Sequence, residues 1–177
     1  FRPFITRYFY AEKILSDRLS AHHFTLLGRR LRFENRIILY SFGKRGNFSA
    51  LATKYLPNLD ILVPNATHCP GLYLYDKDGN RLDNITDWGL QQFQAHYQNE
   101  QITKEDIFYY TYAALHNLAY RKKYELNLKR EFPRLPFYKD FSMWVNWGRT
   151  LMEWHVNYEA VEPRLLTIQE AALRKDA

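Results

Sequence analysis

The 177-residue sequence is 46% hydrophobic and 17% aromatic with only seven Gly and seven Pro, which excludes a disordered chain. Its net charge is +6, and residues 1–54 hold 11 Lys/Arg against 3 Asp/Glu, as expected for a chain with a polyanionic partner. The single cysteine, Cys69, excludes an internal disulfide and a Cys-rich zinc site and favours a reducing, cytoplasmic location. No apolar run reaches the ~20 residues of a membrane span, so no membrane partner is expected.

The first hundred residues favour strands and loops. Residues 5–11 are β-branched and aromatic, and residues 36–42 (RIILYSF) form the apolar run of a buried strand. Residues 43–50 (GKRGNFSA) are typical of a basic surface loop. Residues 71–76 and 81–85 flank an Asp-Gly pair and therefore predict a β-hairpin.

Helical patterns begin at residue 87. Residues 87–99 predict a short helix, and Thr103-Lys-Glu-Asp106 has the form of a capping box that starts a longer one. A second helix, with apolar residues four apart that include Tyr124, must end before Pro133. A third helix is predicted over residues 140–158.

Several residues of these helices could serve chemistry or packing. His116 and His155 each fall on an apolar helical face, where a hydrogen-bonded core histidine is the expected role. Trp144, Trp147 and Trp154 have the spacing of a packed helix face, with base stacking as the alternative.

The predicted fold class is α+β. An N-terminal strand-rich lobe with basic loops, residues 1–100, is expected to pack on a C-terminal helical lobe of about three helices, residues 101–177. The sequence begins with Phe1 rather than Met, which favours a fragment of a longer polypeptide.

Motifs of nucleotide, metal and hydrolytic chemistry are missing. The sequence contains no Gly-x-x-x-x-Gly-Lys-Ser/Thr, Gly-x-Gly-x-x-Gly, His-Glu-x-x-His or Cys-x-x-Cys pattern. We therefore predict no catalytic, cofactor-binding or metal-binding residues in this chain.

Basic residues between positions 29 and 54 are the candidate site. Arginine can fork to guanine or phosphate, and short loops between strands can enter a major groove. The alternative for each residue is an ordinary solvated position. The predicted DNA-binding residues are Arg29, Arg30, Arg32, Arg36, Lys44, Arg45, Asn47 and Lys54.

The segment 115–137, LHNLAYRKKYELNLKREFPRLPF, resembles the C-terminal specificity domain of Type ISP restriction–modification enzymes, together with the preceding residues 102–110. Residues 1–8, 71–75 and 148–155 are similar to other parts of that family. Residues 20–70 match little, as expected of sequence-reading loops that diverge with their target.

The resemblance implies a role in sequence-specific recognition of double-stranded DNA. In this family a nuclease, a helicase-like motor and an adenine methyltransferase precede the recognition domain, so the methyltransferase domain is an expected partner. The parent polypeptide would be a prokaryotic, cytoplasmic restriction endonuclease and methyltransferase that uses S-adenosylmethionine, ATP and magnesium. The alternative function is a protein–protein docking module that never contacts DNA.

Overall fold

The computed structural model describes residues 21–41, 47–58, 61–62 and 67–162. These ranges contain helices and antiparallel strands, which confirms the α+β class. The strands are β1 (Ile37–Ser41), β2 (Ser49–Thr53), β3 (Thr67–His68), β4 (Tyr73–Tyr75) and β5 (Arg81–Asp83). The helices are α1 (Ala21–Leu27), α2 (Asp87–Tyr97), α3 (Lys104–His116), α4 (Leu118–Lys123), α5 (Glu125–Leu128) and α6 (Phe141–Val156), followed by a 3-10 turn at Tyr158–Ala160.

A three-stranded antiparallel sheet in the order β2-β1-β3 separates two apolar clusters. Successive side chains of a strand point to opposite faces. Ile37 and Leu39 accordingly pack with Leu26 and Leu27 of α1, whereas Ile38 packs with the helical core. The hairpin of β4 and β5 joins this sheet through a bridge between Ile37 and Gly71.

Helix α3 is the centre of the helical side. The predicted capping box starts it, because the Thr103 hydroxyl accepts from the Asp106 amide and the Asp106 carboxylate accepts from the Thr103 amide. Tyr110 and Tyr112 in its middle are fully buried. Helix α6 crosses α3 at Gly148, where an added Cβ would lie 1.9 Å from the carbonyl oxygen of Tyr109.

Most of the predicted elements are confirmed. The strand over residues 36–42 is β1, the hairpin is β4–β5, and the helices over residues 87–99 and 140–158 are α2 and α6. The strand predicted over residues 5–11 lies outside the described residues. The boundary at residue 100 stays a prediction, while Ile38 and α3 belong to one apolar cluster that spans it.

Three local predictions are wrong. Ser49 and Ala50, expected in a loop, begin β2 because they pair with Ser41 and Tyr40 of β1. The second helix is interrupted at Tyr124, whose backbone leaves helical geometry and divides it into α4 and α5.

The third correction concerns the tryptophans of α6. Trp144 packs against the core and stacks on Tyr138 at 4.2 Å. Trp147 and Trp154 are 52% and 58% exposed, because the buried side of α6 is formed instead by Val145, Gly148, Met152 and Val156.

The close crossing at Gly148 predicts a large loss of stability for Gly148→Ala. The added methyl group would meet backbone atoms of α3, which cannot rotate away, so the helices must separate. We expect the free energy of unfolding to fall by about 3 kcal/mol in urea denaturation. Gly89→Ala is the matched control, since its nearest neighbour would be 3.4 Å away, and an equal decrease in both variants would contradict this account.

His116 links the end of α3 to the sheet. Its Nδ1 lies 2.9 Å from the Tyr112 carbonyl oxygen and its Nε2 lies 3.1 Å from the Ala50 carbonyl oxygen. Burial lowers the pKa of His116 to about 4, and the positive charges of Arg121 and His155 act in the same direction, although both carbonyl contacts favour the cation. The cost of desolvating the charged ring therefore outweighs the second hydrogen bond that the charged ring could donate to a carbonyl oxygen. The imidazole is neutral at pH 7.

This histidine predicts an acid-sensitive fold. Its pKa is lower in the folded chain than the ordinary value of 6.5, so the unfolded chain binds more protons between these values. The neutral form of His116 contributes up to about 3 kcal/mol to the free energy of unfolding. This contribution is complete above pH 6.5 and is lost as the pH falls toward 4. In His116→Gln, the free energy of unfolding should depend less on pH over this window, and an identical dependence would contradict the assignment.

Candidate nucleic-acid interface

The segment that joins α1 to β1, residues 28–36, is called the arginine turn here. Gly28 has a left-handed backbone, and an added Cβ there would lie 2.2 Å from the ring of Phe33. Leu31 is also left-handed, a conformation unfavourable for leucine, but its side chain packs on the apolar cluster of α1. Hydrogen bonds from Leu31 to Gly28 and from Phe33 to Leu27 close the turn at 2.9 and 3.0 Å.

Asn35 fixes the arginine turn to the rest of the domain. It is 3% exposed, and its amide group donates to the carbonyl oxygens of Leu26 at 2.7 Å and Tyr73 at 2.9 Å. Its side-chain oxygen accepts from the backbone amides of Arg36 and Tyr73. Gly71 leaves the necessary space, since a Cβ there would lie 2.8 Å from the Asn35 amide nitrogen.

Three predicted residues, Arg29, Arg30 and Arg32, lie on the outside of this turn. All three are exposed, and none has a carboxylate within 4 Å among the described residues. The backbone is held rigidly while the guanidinium groups remain in water. Such an arrangement presents positive charge in a fixed place, as an anion-binding surface requires.

The β4–β5 hairpin lies beside the arginine turn. Phe33 contacts Tyr75 with ring centroids 4.7 Å apart, and the Tyr75 hydroxyl donates to the Glu34 carbonyl oxygen. The tip of the hairpin is closed by Asp76, whose carboxylate accepts from the backbone amides at positions 78 and 80 and from the Asn80 side chain. These hydrogen bonds, led by those from Asn80, lower the pKa of Asp76.

Sequence reasoning missed two exposed basic residues of this hairpin, Lys77 and Arg81. The Arg81 guanidinium lies 4.2 Å from the ring centroid of Tyr73. The signal that could have found them is the predicted hairpin itself, which has a basic residue on each side of its Asp-Gly pair.

Arg36 and Lys54 have partners within the domain. The Arg36 guanidinium forms an ion pair with Glu153 of α6, with an Nη2–Oε1 distance of 3.1 Å. The Lys54 ammonium donates to the Asn157 side-chain oxygen at 2.9 Å. Both side chains therefore attach the sheet to the end of α6, and their contact with DNA stays a prediction.

Of the remaining predicted residues, the structure describes Asn47, at the opposite end of the sheet. Asn47 is exposed just before β2, and Lys44 and Arg45 lie outside the described residues. The five residues of β1 separate the two ends by about 13 Å. We call the end with Arg36 and Lys54 the turn end. We call the other end, where Ser41 of β1 pairs with Ser49 of β2, the hairpin end; it is not the end beside the β4–β5 hairpin.

The described ranges offer little support for other chemistry. Burial raises the pKa of the Cys69 thiol to about 11, so this side chain is not a thiolate at neutral pH. Across residues 21–41, 47–58, 61–62 and 67–162, no three His, Cys, Asp or Glu side chains are grouped to hold a metal ion. The helices in these ranges are too short or too polar to span a membrane.

The fold and its surface define an α+β domain that presents fixed arginines beside a small antiparallel sheet. The chain belongs to the family of Type ISP C-terminal specificity domains, whose model matches residues 1–176. The family resemblance carried by residues 102–137 is thereby confirmed. No curated protein matches the chain.

Solved structures similar to this chain include complexes with DNA. A cryo-EM structure of a DrdV–DNA complex is 45% identical, with a TM-score of 0.76 over 80% of this chain and 14% of that one. A nuclease-deletion mutant of the Type ISP restriction–modification enzyme LlaGI, in complex with a DNA substrate mimic, is 29% identical, with a TM-score of 0.71 over 89% of this chain and 13% of that one. The ATP-dependent Type ISP enzyme LlaBIII bound to DNA is 25% identical, with a TM-score of 0.63 over 73% and 9%. The chain thus corresponds to a small part of these much longer polypeptides.

The hydrogen bonds of Asn35 predict that Asn35→Asp is strongly destabilising. The change replaces both N–H donors by an oxygen that faces the carbonyl groups of Leu26 and Tyr73. We expect a decrease of about 3 kcal/mol in the free energy of unfolding at pH 7. Asn117→Asp is the matched control, because within the described residues the Asn117 side chain bonds through its oxygen, which caps α4, and a carboxylate also serves there. Equal decreases in the two variants would show that the donors of Asn35 are unimportant.

Proposed function

We propose that this chain recognises a specific sequence in double-stranded DNA as the target-recognition domain of a Type ISP-like restriction–modification enzyme. The observation that carries the proposal is the arginine turn, in which three exposed guanidinium groups extend from a backbone fixed by buried contacts. Membership of the specificity-domain family supports it, as do the DNA complexes of the similar structures.

In this proposal the basic side chains hold the DNA by its phosphates. Phosphate contacts set the position of the domain on the duplex and release counterions, so binding weakens steeply as salt is added. The rigid turn lowers the conformational entropy cost of binding DNA, since its backbone is already ordered in the free domain. The sequence itself would be read by polar and basic side chains of residues 20–70, with each bidentate base contact contributing about 1–3 kcal/mol of discrimination.

The chemical steps belong, in this proposal, to other domains of the same polypeptide. Adenine methylation and restriction would be performed upstream, with S-adenosylmethionine, ATP and magnesium as their cofactors. The recognition domain would place the target adenine in reach of the methyltransferase domain. A cytoplasmic location in a prokaryotic cell accompanies this assignment.

One observation favours the alternative, a protein–protein docking module. Trp147 and Trp154 expose apolar surface on α6, and a groove of about 460 Å³ lies between α3 and α6. The groove is lined by Ala113, His116, Asn117, Trp144, Trp147 and Leu151. Selection from a random duplex library by the 177-residue chain at low salt distinguishes the two, because a docking module would enrich no sequence.

The arginine turn predicts a specific salt effect. In the triple variant Arg29→Gln, Arg30→Gln and Arg32→Gln, we expect weaker DNA binding and a plot of log K against log salt that is flatter by about one unit for each phosphate that is no longer neutralised. Filter binding between 50 and 200 mM salt measures this slope. Lys139→Gln is the comparison, since Lys139 is exposed but lies outside the arginine turn, and it should change the slope less. An unchanged slope in the triple variant would remove the arginine turn from the interface.

A further inference from the structure

The residues that link α3 to α6 extend across the hairpin end of the sheet. Two side-chain contacts hold them there. The Arg121 guanidinium lies 5.4 Å from the ring centroid of Phe48, which immediately precedes β2. The Phe132 ring lies 5.3 Å from that of His68 in β3. Residues 118–134 are therefore attached at Arg121 and at Phe132 to the two sides of the sheet, close to where β1 ends.

This segment is strongly basic. It contains six Lys/Arg and two Glu, a net charge of +4. Both glutamates are already neutralised, because Glu125 pairs with Lys129 at 2.6 Å and Glu131 pairs with Arg134 at 2.7 Å. Arg121 is used internally, since its Nε donates to the Leu115 carbonyl oxygen at 2.6 Å.

Three cations of the segment are left without such partners. Lys122, Lys123 and Arg130 are exposed, and in the part of the chain that the structure describes no carboxylate lies within 4 Å of any of them. Lysine is depleted at protein–protein interfaces, whereas protein–DNA interfaces are strongly positive. The chemistry of this surface fits the phosphate backbone of DNA better than an acidic protein.

We propose that Lys122, Lys123 and Arg130 form a second phosphate-binding surface at the hairpin end, separate from the arginine turn. This inference rests on the proposed function. The two ends of the sheet are about 13 Å apart along β1. The domain then contacts phosphates from both ends of the same sheet. The contacts are independent of base sequence and set the orientation of the domain on the duplex.

The test compares the 177-residue chain with the variant Lys122→Gln, Lys123→Gln, Arg130→Gln. Binding of one duplex is measured by filter binding from 50 to 200 mM salt. The slope of log K against log salt should decrease by about one unit for each phosphate that the variant no longer neutralises, by up to about three. The decrease should be the same for a selected target and for an unrelated duplex. The control variant Lys139→Gln removes one positive charge from an exposed position outside the segment. It should lower the slope by less than the removal of one phosphate-binding residue does.

The outcomes separate the two proposals. If the wild-type chain binds no duplex, the proposed function fails, and this inference fails with it. If the wild type binds and the arginine-turn variant lowers the slope while the Lys122, Lys123 and Arg130 variant does not, only this inference is overturned. A slope lowered equally per charge by Lys139→Gln would also overturn it, since net charge alone would then explain the effect. Thermal unfolding of each variant verifies that the fold is intact.

Discussion

The side-chain amide of Asn35 joins α1 and the residue before β1 to strand β4, which lies 38 positions further along the sequence. Its four hydrogen bonds involve the Leu26 carbonyl oxygen, the Arg36 amide and both backbone groups of Tyr73. Every donor and acceptor of the amide forms a hydrogen bond, so burying the amide carries a small desolvation penalty. Removing one partner would leave a buried polar group unpaired and would destabilise the fold. Because Asn35 belongs to the arginine turn, its buried hydrogen bonds hold the backbone from which the exposed guanidinium groups extend.

The opposite face of the sheet is held by the helices. Gly148 lets α6 approach the backbone of α3, and this approach brings Glu153 and Asn157 to Arg36 and Lys54 at the turn end. Near the start of β2, His116 contacts the Ala50 carbonyl oxygen. Small residues in β2, such as Ala50 and Ala52, allow the helices to lie close to the sheet. Both faces are thus fixed by specific contacts as well as by apolar burial.

The sequence predicted what local chemistry decides and failed where distant partners decide. The capping box at Thr103 and the Asp-Gly hairpin are signals contained within a few residues, and both elements form. The two-residue strand β3 exists only because His68 meets Tyr40 of β1, so no local pattern announces it. Likewise Arg36 and Lys54 look like any basic residues, yet their partners are 117 and 103 positions away. Composition could identify a basic region but could not separate structural cations from solvated ones.

That separation changes how the positive charge of the domain is understood. A cation in an ion pair, such as Arg36, contributes little to the electrostatic potential in the surrounding solvent. The potential of an unpaired cation extends over about one Debye length, ~8 Å at physiological salt. The unpaired cations of the described residues include one group on the arginine turn and another on residues 118–134, with the sheet between them. Backbone hydrogen bonds along β1 and packing on both faces hold the two ends of the sheet in a fixed relation. The sheet therefore acts as a rigid support for both groups of unpaired cations.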